Sequence, residues 1–377
     1  MSSPTAAAST PSPVIVPSVL HRTDADVEQS LPYAAAIHLN GQAFIAASEG
    51  LATIPNYAAI VDHFTVKSRE SDALTQVRGS TLFKPAQLLD ALGCKVVSVR
   101  PSNADIGLPT VPALILLNHR ETGFPTAIIE ATYLTAMRTA AGSAAATDCA
   151  ARKDAKRLVV FGAGAQAKEH IHAILAVRPN VQLIHIVNRN VERADALAQE
   201  LKKRYANVHF QTHALNARAS GDEVAVAALR QALAAADIIC TTTNSSTPLL
   251  SLSDVSPGCH INAIGSYLPD QQELSSDLVA AARIAVDSPV ETISHVGDIR
   301  IPIEENKLTR DALTHVGQYL PRHQYGSKIP LTVSTGATVQ LGFDLPKNSS
   351  SQDAKWRRDD RSDIFGCNVR ERPRSMR

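Results

Sequence analysis

The 377-residue chain is poor in several things, and each absence removes a class of function. It has almost no surplus charge, with 37 Lys and Arg against 36 Asp and Glu and a formal net charge of +1. A principal partner such as nucleic acid or an anionic membrane would call for a basic excess, so small molecules become the expected ligand class. Cysteine is scarce and scattered: Cys94, Cys149, Cys240, Cys259 and Cys367 are odd in number and form no C-x-x-C pair. That pattern suits buried small hydrophobes in a reducing compartment and neither a disulfide framework nor a zinc site, so no metal is expected. No apolar run approaches the ~20 residues of a membrane span. The first twenty residues contain no Lys or Arg, which excludes a secretory n-region or an Arg-rich transit peptide there. The cytoplasm is the expected location. Residues 1–16 read as a disordered leader, and residues 347–377, polar and charge-dense, as a disordered tail.

What is present is an ordinary globular composition, 44% apolar and 19% charged, on a chain long enough for two domains. The region from about Pro17 to Pro85 is mixed and its elements are hard to place. Short apolar runs bounded by Gly, Pro and Asn predict strands at 94–99 ("CKVVSV") and 113–118 ("ALILLN"), with "RETG" (120–123) as a hairpin turn. The Ala-rich stretch 132–151 predicts a helix. From residue 157 strand and helix patterns alternate as in a doubly wound α/β fold. Strands are expected at 157–162, 183–188, 208–213, 237–243, 260–265 and 283–288, the last three as further core strands, with helices between the first four.

"RLVVFGAGAQAKEHIHAILAV" (157–177) carries the chemistry. Gly162, Gly164 and Ala167 form G-x-G-x-x-A between a strand and a helix, the context a dinucleotide-binding turn requires. Gly162 permits the tight turn, Gly164 lets backbone approach a pyrophosphate, and Ala167 keeps the helix close to the sheet. The helix N-terminus adds unpaired N–H groups and partial positive charge. At the end of the second strand an NAD binder places a carboxylate for the ribose hydroxyls, but this chain reads "IVNRN", with Asn188 and Arg189. An Arg there can grip a 2′-phosphate, so NADP(H) is favoured, with NAD(H) possible.

The motifs "GLPT", "ATYLTAMRTAA", "GAGAQA", "INAIGS" and "STG", in that order across roughly residues 65 to 341, resemble the ornithine cyclodeaminase/mu-crystallin family. The resemblance implies a homodimer with a Rossmann-type NAD(P)-binding domain inserted in an α+β substrate and dimerisation domain. Residues 17–140 with 325–346 would form the substrate and dimerisation domain, and 141–324 the Rossmann domain. It implies hydride transfer between a nicotinamide and an α-amino acid or its cyclic imine. Substrate-binding cations fall by matched position on Lys95, Arg138 and Arg69, with Arg78 as the fallback for the last. Cofactor contacts fall on Thr110, Ala165, Gln166, Thr243, Ile261, Asn262, Ala263, Ile264 and Ser334, and Arg138 sits near enough to the pyrophosphate to share both roles. Asn188 occupies the place of a cyclodeaminase's ribose-binding Asp.

Two departures from the family pattern matter. Cyclodeaminases carry an Asp shortly after the "NAVG" strand for proton transfer and water activation, where this chain has Tyr267; nearby Asp270 does not align. The stretch "LGFDLPKNSSS" also breaks the usual final helix. Reduction of a cyclic ketimine such as 1-pyrroline-2-carboxylate or 1-piperideine-2-carboxylate with NADPH is therefore the leading expectation. Ornithine cyclodeamination with NAD, and a non-catalytic NADPH-binding role like that of mu-crystallin, are the alternatives.

Overall fold

The structure, a computed structural model, describes residues 18–55, 58–66, 74–88, 91–215, 221–288, 293–325, 329–332, 338–341 and 366–369. The chain opens with β1 (Leu20–Arg22), α1 (Asp24–Ser30), α2 (Tyr33–Ser48) and β2 (Ala52–Thr53). Then come β3 (Ala58–Val66), β4 (Leu74–Leu88), β5 (Ala91–Val99), β6 (Ala113–His119) and β7 (Pro125–Glu130). α3 (Thr132–Ala150) leads to the alternating series β8 (Arg157–Phe161), α4 (Ala165–Val177), β9 (Leu183–Asn188), α5 (Val191–Arg204), β10 (His209–Ala214), α6 (Glu223–Ala234) and β11 (Ile238–Thr241). β12 (His260–Ala263), α7 (Ser276–Ala280), β13 (Ala282–Val286), β14 (Leu313–His315), β15 (Ile329–Thr332), β16 (Thr338–Leu341) and β17 (Gly366–Val369) complete the strands used below.

The chain divides into two compact units, Met1–Thr23 with Tyr57–Ala131, and Asp24–Asn56 with Thr132–Arg377. In the first, strands run in the order β1-β7-β6-β5-β4, and β3 also pairs with β4. All of these pairings are antiparallel except the parallel β1–β7. The expected strands at 94–99 and 113–118 are β5 and β6, and the turn after β6 carries Gly123 at φ 73°, a left-handed position that suits glycine.

The second unit holds a five-stranded parallel sheet, β10-β9-β8-β11-β12, the doubly wound order that reverses direction at β8. Its strands are nearly continuous apolar runs because helices cover both faces. Leu158, Ile184, Ile186 and Ile238 pack with α3, α4 and α5 on one side, while Val159, Phe161, Ile239 and Ile261 pack with α7 and the helix Gly297–Glu304 on the other. α3 is the unusual element, since Ala140, Ala141, Ala144 and Ala145 are wholly buried and Ser143 and Thr147 nearly so. Small side chains allow its neighbours to approach closely, and Gly142 admits the Phe44 ring where a Cβ would lie 3.1 Å from it.

The run 283–288 does form β13, but in a separate sheet, β14-β13-β17, because an apolar run specifies burial and not a partner strand. Of residues 347–377, Gly366–Val369 are described, as a strand antiparallel to β13. The division between the two units falls before α3, and α2 belongs with α3 and α4 because Ala36, Ile37 and Ile45 join their core. Among the described residues no helix is long and apolar enough to cross a membrane.

Candidate active site

The glycine turn sits between β8 and α4 as its pattern requires. Gly162 has φ 108°, and a Cβ there would come within 2.6 Å of Thr242 Oγ1, so both backbone strain and space demand glycine. Thr242 crosses the turn and donates from its N–H and its hydroxyl to Phe161 O at 2.9 and 2.7 Å. Gly164 caps α4 in extended geometry with nothing within 4 Å of where a side chain would begin. The first intrahelical bond is Lys168 N–H to Gly164 O, so the preceding N–H groups have no partner within the helix. Gly164 and Ala165 are exposed, and the buried Oε1 of Gln166 finds no hydrogen-bond partner among the described residues. An open backbone cradle and unpaired N–H donors together fit a dinucleotide pyrophosphate. His170 pins this helix start: its Nδ1–H donates to Gln166 O, and Nε2 accepts from the Ser143 hydroxyl on α3. Full burial pulls its pKa down to about 4, so the ring is neutral.

At the end of β9, Asn188 is half-buried and donates to Asn190 O, while Asn190 caps α5 by accepting from Arg193 N–H. Arg189 between them is exposed. The position therefore presents a cation and no carboxylate where a 2′-phosphate would lie.

The ends of β11 and β12 are built differently. Thr243 donates its N–H and hydroxyl to Glu273 Oε1 at 2.7 and 2.6 Å, and Gly265 N–H donates to Oε2 at 2.7 Å. Glu273 is fully buried; burial raises its pKa while these bonds oppose the rise. Its N–H and that of Leu274 donate to Asp298 Oδ1. Burial, with the neighbouring Glu273 charge adding to it, pushes Asp298 up to about 7, and its Oδ2 has no partner among the described residues. Tyr267 is exposed on the loop after β12, and Asp270 is exposed nearby. The backbone N–H groups of Tyr267 and Leu268 donate to Gln271 Oε1, so the loop is held from beneath.

The predicted cofactor residues on β12 divide. Ala263 and Ile264 are partly accessible, but Ile261 lies in the core and Asn262 spends its amide on Thr147 Oγ1 and Cys240 Sγ. Their side chains face the interior, which leaves only backbone groups for a ligand there.

Arg138 lies in α3 and is exposed to solvent. Desolvation draws its pKa below the ordinary arginine value, with the Asp287 carboxylate opposing. The helix that carries Arg138 is fixed at its far end by Arg178, only 1% exposed. Arg178 donates to the carbonyls of Thr147, Asp148, Ala151 and Arg152 and pairs with Asp148 at 2.8 Å. One guanidinium thus satisfies the orphan acceptors of a helix C-terminus.

In the other unit, Lys95 is half-buried on β5, in register with Lys84 on β4 and Ile115 on β6. Thr110 is exposed, and its carbonyl accepts from Arg100 N–H at 2.8 Å. Arg100 also donates to Ser80 O and Thr81 Oγ1, which shapes this loop. Arg69 and Ser334 lie outside the described residues, as does the Arg78 side chain. Sequence reasoning did not find Glu273, Asp298, Thr242 or Arg178. Each is a single polar residue without periodicity, and its partners are distant in sequence. Among the described residues no group of three His, Cys, Asp or Glu could hold a metal.

The family profile described as "Ornithine cyclodeaminase/mu-crystallin family" matches residues 20–327, so the match starts before the quoted motifs and stops short of "STG". A Delta(1)-pyrroline-2-carboxylate reductase of Bacillus cereus is 34% identical over 277 residues, 72% of this chain and 80% of the relative. The solved Delta(1)-pyrroline-2-carboxylate reductase of Thermococcus litoralis, in complex with NADH and L-proline, superposes with TM-score 0.67 at 30% identity, covering 80% of this chain and 85% of that one. An archaeal alanine dehydrogenase dimer with bound NAD has the same TM-score at 27% identity, covering 80% and 84%. A glycine turn in its strand–helix context, the strand order around it and these matches have one reading: the chain belongs to the ornithine cyclodeaminase/mu-crystallin family.

Proposed function

We propose that this protein reduces cyclic ketimines bearing a carboxylate, 1-pyrroline-2-carboxylate or its six-membered homologue, with NADPH, as a homodimer in the cytoplasm. The observation that carries the reading is Tyr267: the loop after β12 exposes a phenol where a cyclodeaminase carries its Asp, and the nearby Glu273 is buried and engaged. Cyclising ornithine requires a protonated amine to lose its proton before hydride leaves the carbon, and a phenol is a far weaker proton acceptor than a carboxylate. Reducing a preformed imine makes no such demand, because the ring nitrogen gains a proton. The names of the Bacillus cereus and Thermococcus litoralis relatives support the same chemistry.

The bound nicotinamide would supply the hydride. The backbone at Gly162, Gly164, Ala165 and Gln166 would hold the pyrophosphate, Arg189 with Asn188 the 2′-phosphate, and Thr243, Ala263 and Ile264 the nicotinamide half, with Thr110 and Ser334 as further contacts. Lys95 and Arg138, with Arg69, are assigned to the substrate carboxylate, which an Arg fork grips bidentately and which compensates a half-buried ammonium. A homodimer is supported by the exposed apolar Leu114 and Ile128 on one face of the β1–β7 sheet and by the dimeric archaeal relative.

The test is NADPH oxidation with both cyclic imino acids, beside ammonia release from ornithine with NAD. Imine reduction without detectable ammonia is expected. Ammonia and proline formed together, as fast as imine reduction or faster, would overturn the assignment. Lys95→Met should abolish imine reduction and leave NADPH affinity largely intact.

A further inference from the structure

In a doubly wound sheet the dinucleotide straddles the reversal of strand order, so with the phosphate turn after β8 and the ribose reader after β9, the nicotinamide half lies over the ends of β11 and β12. Those two strand ends are joined by one side chain. Glu273 receives three donors, the Thr243 N–H and hydroxyl on one oxygen and the Gly265 N–H on the other, all within 2.7 Å. The crossing leaves no slack, since a Cβ on Gly265 would lie 1.7 Å from Thr243 O.

The surroundings fix Glu273 in turn. Asp298 Oδ1 accepts the Glu273 and Leu274 N–H groups, Asp298 N–H donates to Ser266 Oγ, and the Ser266 hydroxyl donates to Gln271 O. Gln271 Oε1 then accepts from Tyr267 and Leu268. From Gly265 to Leu268 the loop is thus hung largely on buried side chains, its tie to a strand partner being the longer bond from Gly265 N–H to Thr241 O of β11 at 3.2 Å. Nothing in this lattice needs a catalytic carboxylate, yet it needs an acceptor-only group at residue 273, because every partner is a donor.

We propose that Glu273 is a positioning residue that sets the spacing between the Thr243 and Gly265 strand ends, and with it the seat of the nicotinamide ring. It touches neither cofactor nor substrate. The inference rests on the dinucleotide reading above and not on which imine is reduced.

Glu273→Gln tests it with little change of shape. An amide keeps one acceptor oxygen but turns an N–H₂ toward a donor, so either Thr243 or Gly265 loses its bond. Affinity is measured for NADPH and for 2′-phospho-ADP-ribose, which lacks the nicotinamide, alongside thermal unfolding. The variant should keep fragment affinity within about threefold while NADPH binding weakens about tenfold or more, the cost of one charge-assisted hydrogen bond. An unchanged ratio of the two affinities, whether both hold or both fall together, would overturn the proposal. Where Glu273→Gln does not fold, Glu273→Asp replaces it: the carboxylate is kept but sits one methylene shorter, so it cannot reach both strand ends and should shift the ratio. An unchanged ratio in that variant also overturns the proposal. Wild-type protein that binds NADPH but reduces no imine would defeat the substrate reading and leave this measurement intact.

Discussion

Where β8 and β9 end, the chain offers exposed backbone, an open glycine and an exposed Arg189; where β11 and β12 end, it buries two carboxylates and hangs a loop on them. The first edge is suited to charge: unpaired N–H groups and a solvated cation can close on phosphates without a prior partner to displace. The second is suited to alignment, because hydride transfer tolerates little displacement of the ring from the carbon it attacks. The contrast shows how one sheet edge separates the groups that supply affinity from the groups that supply geometry.

Three substitutions probe that division, beginning with the largest effect on cofactor affinity. Gly162→Val places a branched side chain at φ 108° against Thr242, so the turn must rearrange. NADPH affinity should fall by more than about a hundredfold, since strain of this kind costs roughly 1–3 kcal/mol before the steric clash is added. Isothermal titration checks it, and affinity retained within tenfold would show that the turn does not seat the phosphates.

Arg189→Ala is smaller and selective. Loss of a charge-assisted bond to phosphate predicts NADPH weakened by about ten- to a hundredfold, with NADH barely affected. Equal wild-type affinity for the two cofactors would remove the 2′-phosphate from the account.

The third test leaves cofactor affinity aside and reads stability, at the buried edge. Asp298 titrates at about 7 in the folded protein and near 3.9 when unfolded. Between those values the native state holds a proton that the unfolded chain has released, so stability falls as pH rises through this window, by roughly 1.4 kcal/mol per pH unit at most. His170, His172 and His185, whose pKa values burial lowers to about 4, act in the opposite direction over much of the same range. The comparison of wild type with Asp298→Asn therefore isolates the carboxyl. Denaturant unfolding from pH 4 to 8 should show the variant gaining on wild type up to about pH 7 and then running parallel. Parallel curves throughout would place the Asp298 pKa in the ordinary range.

The exposed edge was legible in the sequence and the buried one was not. Gly162, Gly164, Ala167 and Asn188–Arg189 act through local backbone geometry, so their spacing announces them. Glu273 is defined by Thr243, thirty residues earlier, and Asp298 by the Glu273 backbone, pairings that tertiary packing alone creates. The same limit applies to the fold. β8, β9 and β11 read clearly as buried apolar strands, but nothing in "RIAVDS" says that it joins a different sheet. α2 stayed hidden because "YAAAIHLNGQAFIAAS" buries small residues on several sides and so lacks a sharp apolar stripe, with Gly41 lying against the Tyr325 ring.

Arg178 has a mechanical consequence. It follows the last residue of α4, the helix that starts at the phosphate turn, and its guanidinium grips the final turn of α3, the helix that carries Arg138. Unwinding either terminus would strand a buried cation, so the two ends cannot fray independently. Amide hydrogens in the last turns of α3 and α4 should accordingly exchange with solvent as one cooperative block. Two helices yoked in this way keep their C-terminal ends in fixed relation, the one beginning at the glycine turn and the other carrying Arg138.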